Sequence, residues 1–112
     1  MSSPHWTFLS NYAHVLICLA ESPSSTLREV ADRVGITERS ALRLITHLDE
    51  AGILKRVKTG RRNSYLIDTS VHLRHPIEEH STVGELLGLV LSPARIRRIT
   101  KEHTEYEAEQ PH

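Results

Sequence analysis

The sequence predicts an α+β fold, mostly helical, with a single two-stranded hairpin. Three observations lead there. Two amphipathic helical segments meet at the four-residue turn Val34-Gly35-Ile36-Thr37. Two strand-like runs, Ile53–Val57 and Ser64–Ile67, flank a tip containing Gly60. Further apolar stripes of helical period lie at both ends of the chain. With 112 residues, the chain has the length of one ordinary domain. Its 38% hydrophobic and 25% charged residues suffice for a small core, and domains this short gain from a partner subunit.

Taken in order, Trp6 to Ala20 reads as a helix whose apolar arc is wider than one core requires. Phe8, Tyr12, Val15 and Leu19 share a face that Leu9, Ala13, Leu16, Ile17 and Ala20 extend. Two readings remain open: a helix touching both its own core and a second subunit, or one lying centrally in a small domain. Pro23 ends this helix within a serine-rich turn. Thr26 and Glu29 have the spacing of a capping box, and Leu27, Val30, Ala31 and Val34 form one stripe. Gly35 stops that helix, and Thr37 caps the next. The third helix runs from about Glu38 to Ala51, with Gly52 as its stop. Ala41, Leu44, Ile45 and Leu48 face inward, while Arg39, Leu42, Arg43, Thr46 and Glu50 face outward, with Ser40 and His47 on one flank.

The hairpin follows, with Lys58–Asn63 as its tip. Asp68 to Pro76 is a connector. Ser81 to Leu91 is a helix carrying Val83, Leu86, Leu87, Val90 and Leu91, weakened by Gly84 and Gly88. Ser92-Pro93 stops it and starts a short helix over 94–103. The acidic tail from Thr104 has no apolar stripe and reads as mobile. The expected organisation is therefore residues 1–92 as one domain with helices at both ends, then 93–112 as short helix and tail.

Several functions find no support. No apolar run approaches the ~18–20 residues of a membrane span, and no signal peptide is expected. One cysteine, Cys18, allows no intrachain disulfide and no cysteine-based zinc cage, and it fits a reducing cytoplasm. Within an apolar helix Cys18 reads as an inert thiol. His72, His75 and His80, with Glu78 and Glu79 between, have ligand-like spacing, but a proline-broken connector does not fix ligand geometry, so no metal or cofactor is assigned. No nucleophilic triad order, phosphate loop or paired-carboxylate motif stands out, so no enzyme activity is expected.

The formal net charge is zero, yet the charge is uneven. Residues 28–62 carry nine Arg or Lys against five Asp or Glu, and residues 63–112 carry five against eight. Lys55, Arg56, Lys58, Arg61 and Arg62 crowd the hairpin without an acid among them. A basic middle of this kind suits a surface that meets phosphate. Ordering two short helices about a tight turn, with an exposed polar face on the second and a basic hairpin after it, gives a helix-turn-helix with a wing.

Residues 26–68 resemble a winged helix-turn-helix transcriptional regulator, MarR-like in flavour and with some likeness to the DNA-binding part of IclR-type regulators. The residues that carry this are Thr26-Leu-Arg-Glu-Val-Ala-Asp-Arg-Val-Gly-Ile-Thr37, Ala51-Gly-Ile-Leu54 and Gly60-Arg-Arg-Asn-Ser-Tyr-Leu-Ile-Asp68. The resemblance implies a small dimeric regulator that reads double-stranded DNA. It places Arg39, Ser40, Arg43 and His47 on the groove-facing part of the recognition helix, and Lys58, Arg61 and Arg62 on the wing. MarR-like proteins have longer flanking helices than this chain offers, so no effector pocket is assigned.

The residue chemistry agrees. Arg39 and Arg43 lie one turn apart on the outward face, where a guanidinium takes guanine O6 and N7 bidentately. Thr37 and the first amides of the recognition helix suit a phosphate, and Arg61 and Arg62 suit the backbone or minor groove. A homodimer is expected, with Phe8, Tyr12, Val15, Leu19, Leu87 and Leu91 at its interface. The rival is a winged-helix module for protein contact or assembly, since fold alone does not give function. The discriminating feature is the polar outer face of the 38–51 helix, where Leu42 is the one dissenting residue.

Overall fold

A computed structural model describes residues 6–110, apart from the side chains of Thr59 and Arg62. The helices are α1 (Asn11–Glu21), α2 (Leu27–Val34), α3 (Glu38–Glu50), α4 (Val83–Gly88) and α5 (Pro93–Glu109), with strands β1 (Leu54–Thr59) and β2 (Arg62–Ile67) between α3 and α4. This is the α+β winged helix-turn-helix arrangement the sequence predicts: three helices, then a two-stranded antiparallel wing. Among the described residues no helix is long and apolar enough to cross a membrane.

The first helix is shorter than its apolar pattern. It begins at Asn11, because Ser10 is extended (φ −76°, ψ 170°) and the Thr7 hydroxyl donates to the Leu9 carbonyl rather than leaving the chain to a helical ladder. From there α1 is the central post of the domain. Ala13, Val15, Leu16, Cys18, Leu19 and Ala20 are buried, and α2 and α3 both pack on it. Most of the apolar arc is thus consumed within one chain.

That overturns most of the expected dimer interface. Val15, Leu19 and Leu87 are 0% exposed and Leu91 9%, so these four fill the core and have no face left for a partner. Phe8 and Tyr12 of the same set remain exposed.

Local signals place α2 and α3. Thr26 N–H donates to Glu29 Oε1 (3.2 Å), and Glu29 N–H returns to Thr26 Oγ1 (3.1 Å), completing the capping box. Gly35 adopts φ 84°, a left-handed conformation that glycine takes without strain, and its N–H donates to the Ala31 carbonyl at 2.8 Å. Thr37 caps α3 by accepting from Ser40 N–H at 3.0 Å. The inner stripe Ala41, Leu44, Ile45 and Leu48 is buried as expected.

The wing strands are longer, and its tip tighter, than the sequence implies. Six pairs run from Leu54↔Ile67 to Thr59↔Arg62, leaving Gly60 and Arg61 as a two-residue turn. Gly60 has φ 64°, which matches the glycine position of a type II′ hairpin. Leu54, Tyr65 and Ile67 are buried on one face, and the Tyr65 N–H donates to the Pro23 carbonyl (3.1 Å), tying the wing to the turn before α2.

The C-terminal part differs most. α4 is only six residues, started by a Thr82–Glu85 capping box. α5 continues to Glu109, so the segment from Thr104 is helix rather than loose tail. Ser92 caps it, Ile99 reaches the core, and the pairs Lys101–Glu105 (3.9 Å) and His103–Glu107 (3.5 Å) lie along it. The Lys55 ammonium sits 5.4 Å from the Tyr106 ring centroid, bringing the end of α5 over β1.

The two glycines of α4 are not equivalent. A Cβ on Gly84 would stand 3.1 Å from both the Cβ and the carbonyl oxygen of Thr69, and that oxygen is held by the Gly84 N–H at 2.9 Å, whereas a Cβ on Gly88 would meet nothing within 4 Å. Gly88→Ala is expected to stabilise the fold by about 0.4–1 kcal/mol. Gly84→Ala is expected to destabilise it despite the same helix propensity. Urea unfolding of both variants checks the contrast.

Candidate nucleic-acid interface

The four buried residues of α3 set its rotation, and its other side is left to solvent. Arg39, Leu42, Arg43, Thr46, His47 and Glu50 are exposed, and Ser40 is half-buried. Together they line a shallow groove of about 620 Å³ along the helix. Arg39, Ser40, Arg43 and His47 are therefore brought together on one face.

A second groove, of about 440 Å³, joins this helix to the wing. Leu42 lines it from α3, Thr26 and Glu29 from the start of α2, and Arg56, Arg61 and Asn63 from the wing. Leu42 lines both grooves, so the outer face of α3 and the wing lie on the same side of the molecule.

Alternation along β1 divides its basic residues. Arg56 pairs with Tyr65 and shares the face of Leu54 and Ile67, and its guanidinium lies 5.8 Å from the Tyr65 ring centroid. Lys58 is exposed on that same strand face, beyond Arg56, and lines neither groove. Lys55 faces the other way, towards Tyr106. Arg56 is thus a candidate site residue that the hairpin's composition alone does not single out. The period-two alternation from Leu54 to Arg56 carries that signal. The side chain of Arg62 lies outside the described residues.

Thr37 lines neither groove. Its Oγ1 accepts from Ser40 N–H and donates to Ser40 Oγ, both at 3.0 Å, so its hydroxyl is engaged within the first turn of α3. One of the leading amides expected to meet phosphate is already satisfied. His47 is held from α1: the Tyr12 hydroxyl and His47 Nδ1 are 2.7 Å apart, and the rings stack with centroids 6.0 Å apart at 24°. Tyr12, expected at a subunit interface, here ties the Nδ1 edge of His47 to α1, so Nε2 is the ring nitrogen without that contact.

The histidines of the connector are spent on its backbone. His72 Nδ1 lies 2.8 Å from the Glu79 carbonyl, and His75 Nδ1 accepts from Ile77 N–H at 3.1 Å. Among the described residues no group of three or more His, Cys, Asp or Glu is placed to hold a metal ion.

Part of the sequence that forms this surface matches a known family model. Residues 9–58 match the model of the IclR helix-turn-helix domain. The match runs from just before α1 through α2 and α3 and most of β1, and it ends before Arg61, Asn63 and Tyr65 of the second groove. It supports a winged helix-turn-helix, DNA-binding transcription regulator, and the type matched is IclR, a different family from the MarR-like proteins that the sequence resembles. No curated protein matches the chain.

Cys18 shares no residue contact with either groove. It is 3% exposed, and burial pushes its thiol pKa up, against the opposing effect of Arg33, whose Nη1 lies 3.4 Å from Sγ. The same guanidinium pairs with Glu21 Oε1 at 2.9 Å, clipping α2 to α1. A thiol whose folded pKa is raised contributes stability that is present below the unfolded pKa and is lost as pH rises through the folded one. Stability is therefore expected to fall above the ordinary thiol range, and Cys18→Ser to remove that part of the decline. A disulfide reagent at neutral pH is expected to label native Cys18 at least tenfold more slowly than the urea-unfolded chain.

Proposed function

We propose that the chain is a sequence-specific, double-stranded DNA-binding transcriptional regulator that acts as a homodimer in the cytoplasm. The observation that carries this reading is the shared side of α3 and the wing, joined at Leu42, with Arg39 and Arg43 on one groove and Arg56 and Arg61 on the other. In this reading α3 enters the major groove, where Arg39 and Arg43 take guanine edges, each good bidentate pair giving about 1–3 kcal/mol of discrimination. Ser40 and His47 Nε2 supply further polar contacts from the same face. Arg56, Lys58 and Arg61 engage phosphates or the adjacent minor groove and set register without reading sequence directly. The finer likeness to MarR-like regulators rests on the turn and wing residues, whereas the matched domain favours an IclR-type reading head.

A twofold pair would meet half-sites about one helical turn, ~34–36 Å, apart. With Val15, Leu19, Leu87 and Leu91 committed to the core, the apolar surface available for pairing is Phe8 and Tyr12 from the expected set, with Trp6, Ile77, Leu89 and Val90 also exposed. Trp6 and Phe8 pack edge to face with centroids 5.0 Å apart, forming one exposed aromatic unit. A protein-contact role for α3 is less well supported, because two guanidinium groups flank the single exposed leucine of its outer face.

Selection from a random duplex library, followed by salt-titrated binding, tests the reading. Arg43→Ala is expected to abolish preference for the selected duplex over random DNA. Arg61→Ala is expected to weaken all duplexes alike and to lower the salt slope by about 1. Equal losses on selected and random duplex for Arg43→Ala would overturn the base-reading role. A dimer is expected in sedimentation at micromolar protein, and a monomer there removes the twofold arrangement.

A further inference from the structure

The outer face of α3 carries an apolar strip that guanine and phosphate contacts leave unexplained. Leu42 is 44% exposed although it is a large aliphatic residue on a face otherwise made of charged and polar groups. One turn later, the Thr46 hydroxyl donates to the Leu42 carbonyl at 2.8 Å. Its only proton is thereby spent on the helix backbone, so Thr46 has no hydroxyl donor left for the groove, only acceptor lone pairs and its γ-methyl. Residues four apart on a helix are surface neighbours, so Leu42 and Thr46 place their methyl-bearing side chains side by side on this face. Both residues line the groove that also holds Arg39 and Arg43, and Leu42 continues into the groove beneath the wing.

Base edges in the major groove are almost wholly hydrogen-bond donors and acceptors. The apolar exception is the 5-methyl group of thymine. A methyl patch set beside guanidinium groups on a groove-reading helix matches a step in which thymine neighbours guanine. We propose that Leu42 and Thr46 form a methyl-reading strip that selects thymine by its 5-methyl group, next to the guanines taken by Arg39 and Arg43. The inference rests on the DNA-reading function proposed above and adds a chemical class of base to it. Burying one methyl is worth about fourfold in affinity.

Replacing thymine by deoxyuridine removes that methyl and leaves every hydrogen-bonding atom in place, which makes it the natural probe. The duplex selected from the random library is resynthesised with deoxyuridine at one thymine at a time, and binding is read by fluorescence anisotropy. The wild-type chain is expected to lose about fourfold in affinity at one or two thymines per half-site. Thr46→Ser keeps the hydroxyl and deletes only the methyl, and Leu42→Ala shortens an exposed side chain; with at least one of them the uracil penalty is expected to disappear. If uracil is tolerated at every position while the selected duplex remains preferred over random DNA, methyl reading is overturned and the DNA-reading function stands. If the penalty persists unchanged in both variants, the thymine is read by other residues and the strip is again excluded. If the wild-type chain prefers no duplex at all, the proposed function and this inference fall together.

Discussion

Burial of one face of α1 is the constraint on which the rest of the molecule depends. Six of its eleven residues are buried, and both helices of the turn motif pack against it. Because α3 must spend Ala41, Leu44, Ile45 and Leu48 on that shared core, its rotation about its own axis is settled, and Arg39 and Arg43 have only solvent to face. The exposed polar face is thus a by-product of hydrophobic packing on the opposite side of the same helix. A small domain has little surplus core, so each of these apolar positions is needed twice: for stability, and for aiming the polar face.

The wing obeys a similar logic. Leu54, Tyr65 and Ile67 bury one strand face, and that face carries Arg56 onward to the groove beside Leu42. The opposite face is covered near its base by the end of α5, where Tyr106 meets Lys55. Arg56 and Lys58 thus lie on the face towards the groove, while Lys55 lies on the face towards α5.

Most of the helix-turn-helix and its candidate interface is legible in the sequence, because the signals that define it are local. The Thr26–Glu29 box, the left-handed Gly35, the Thr37 cap and the inner stripe of α3 all act within a few residues of themselves. What was not legible depends on distant partners. The apolar excess at Val15, Leu19, Leu87 and Leu91 reads equally well as an interface or as a central helix with its neighbours, and only tertiary packing decides for the core. The end of α5 looks like an acidic tail until Lys101 and His103 are seen to pair along the helix and Tyr106 to reach the first strand. Likewise the tether between Tyr12 and His47 joins residues far apart in the chain, and no pattern in either segment announces it.

The bond from the Tyr65 amide to the Pro23 carbonyl has a mechanical consequence. It couples the hairpin to the bend between α1 and α2, while α3 is seated on α1 itself. Finger and helix are therefore both referred to α1, the one through the bend at Pro23 and the other by direct packing, so a change in the bend would shift the hairpin relative to α3.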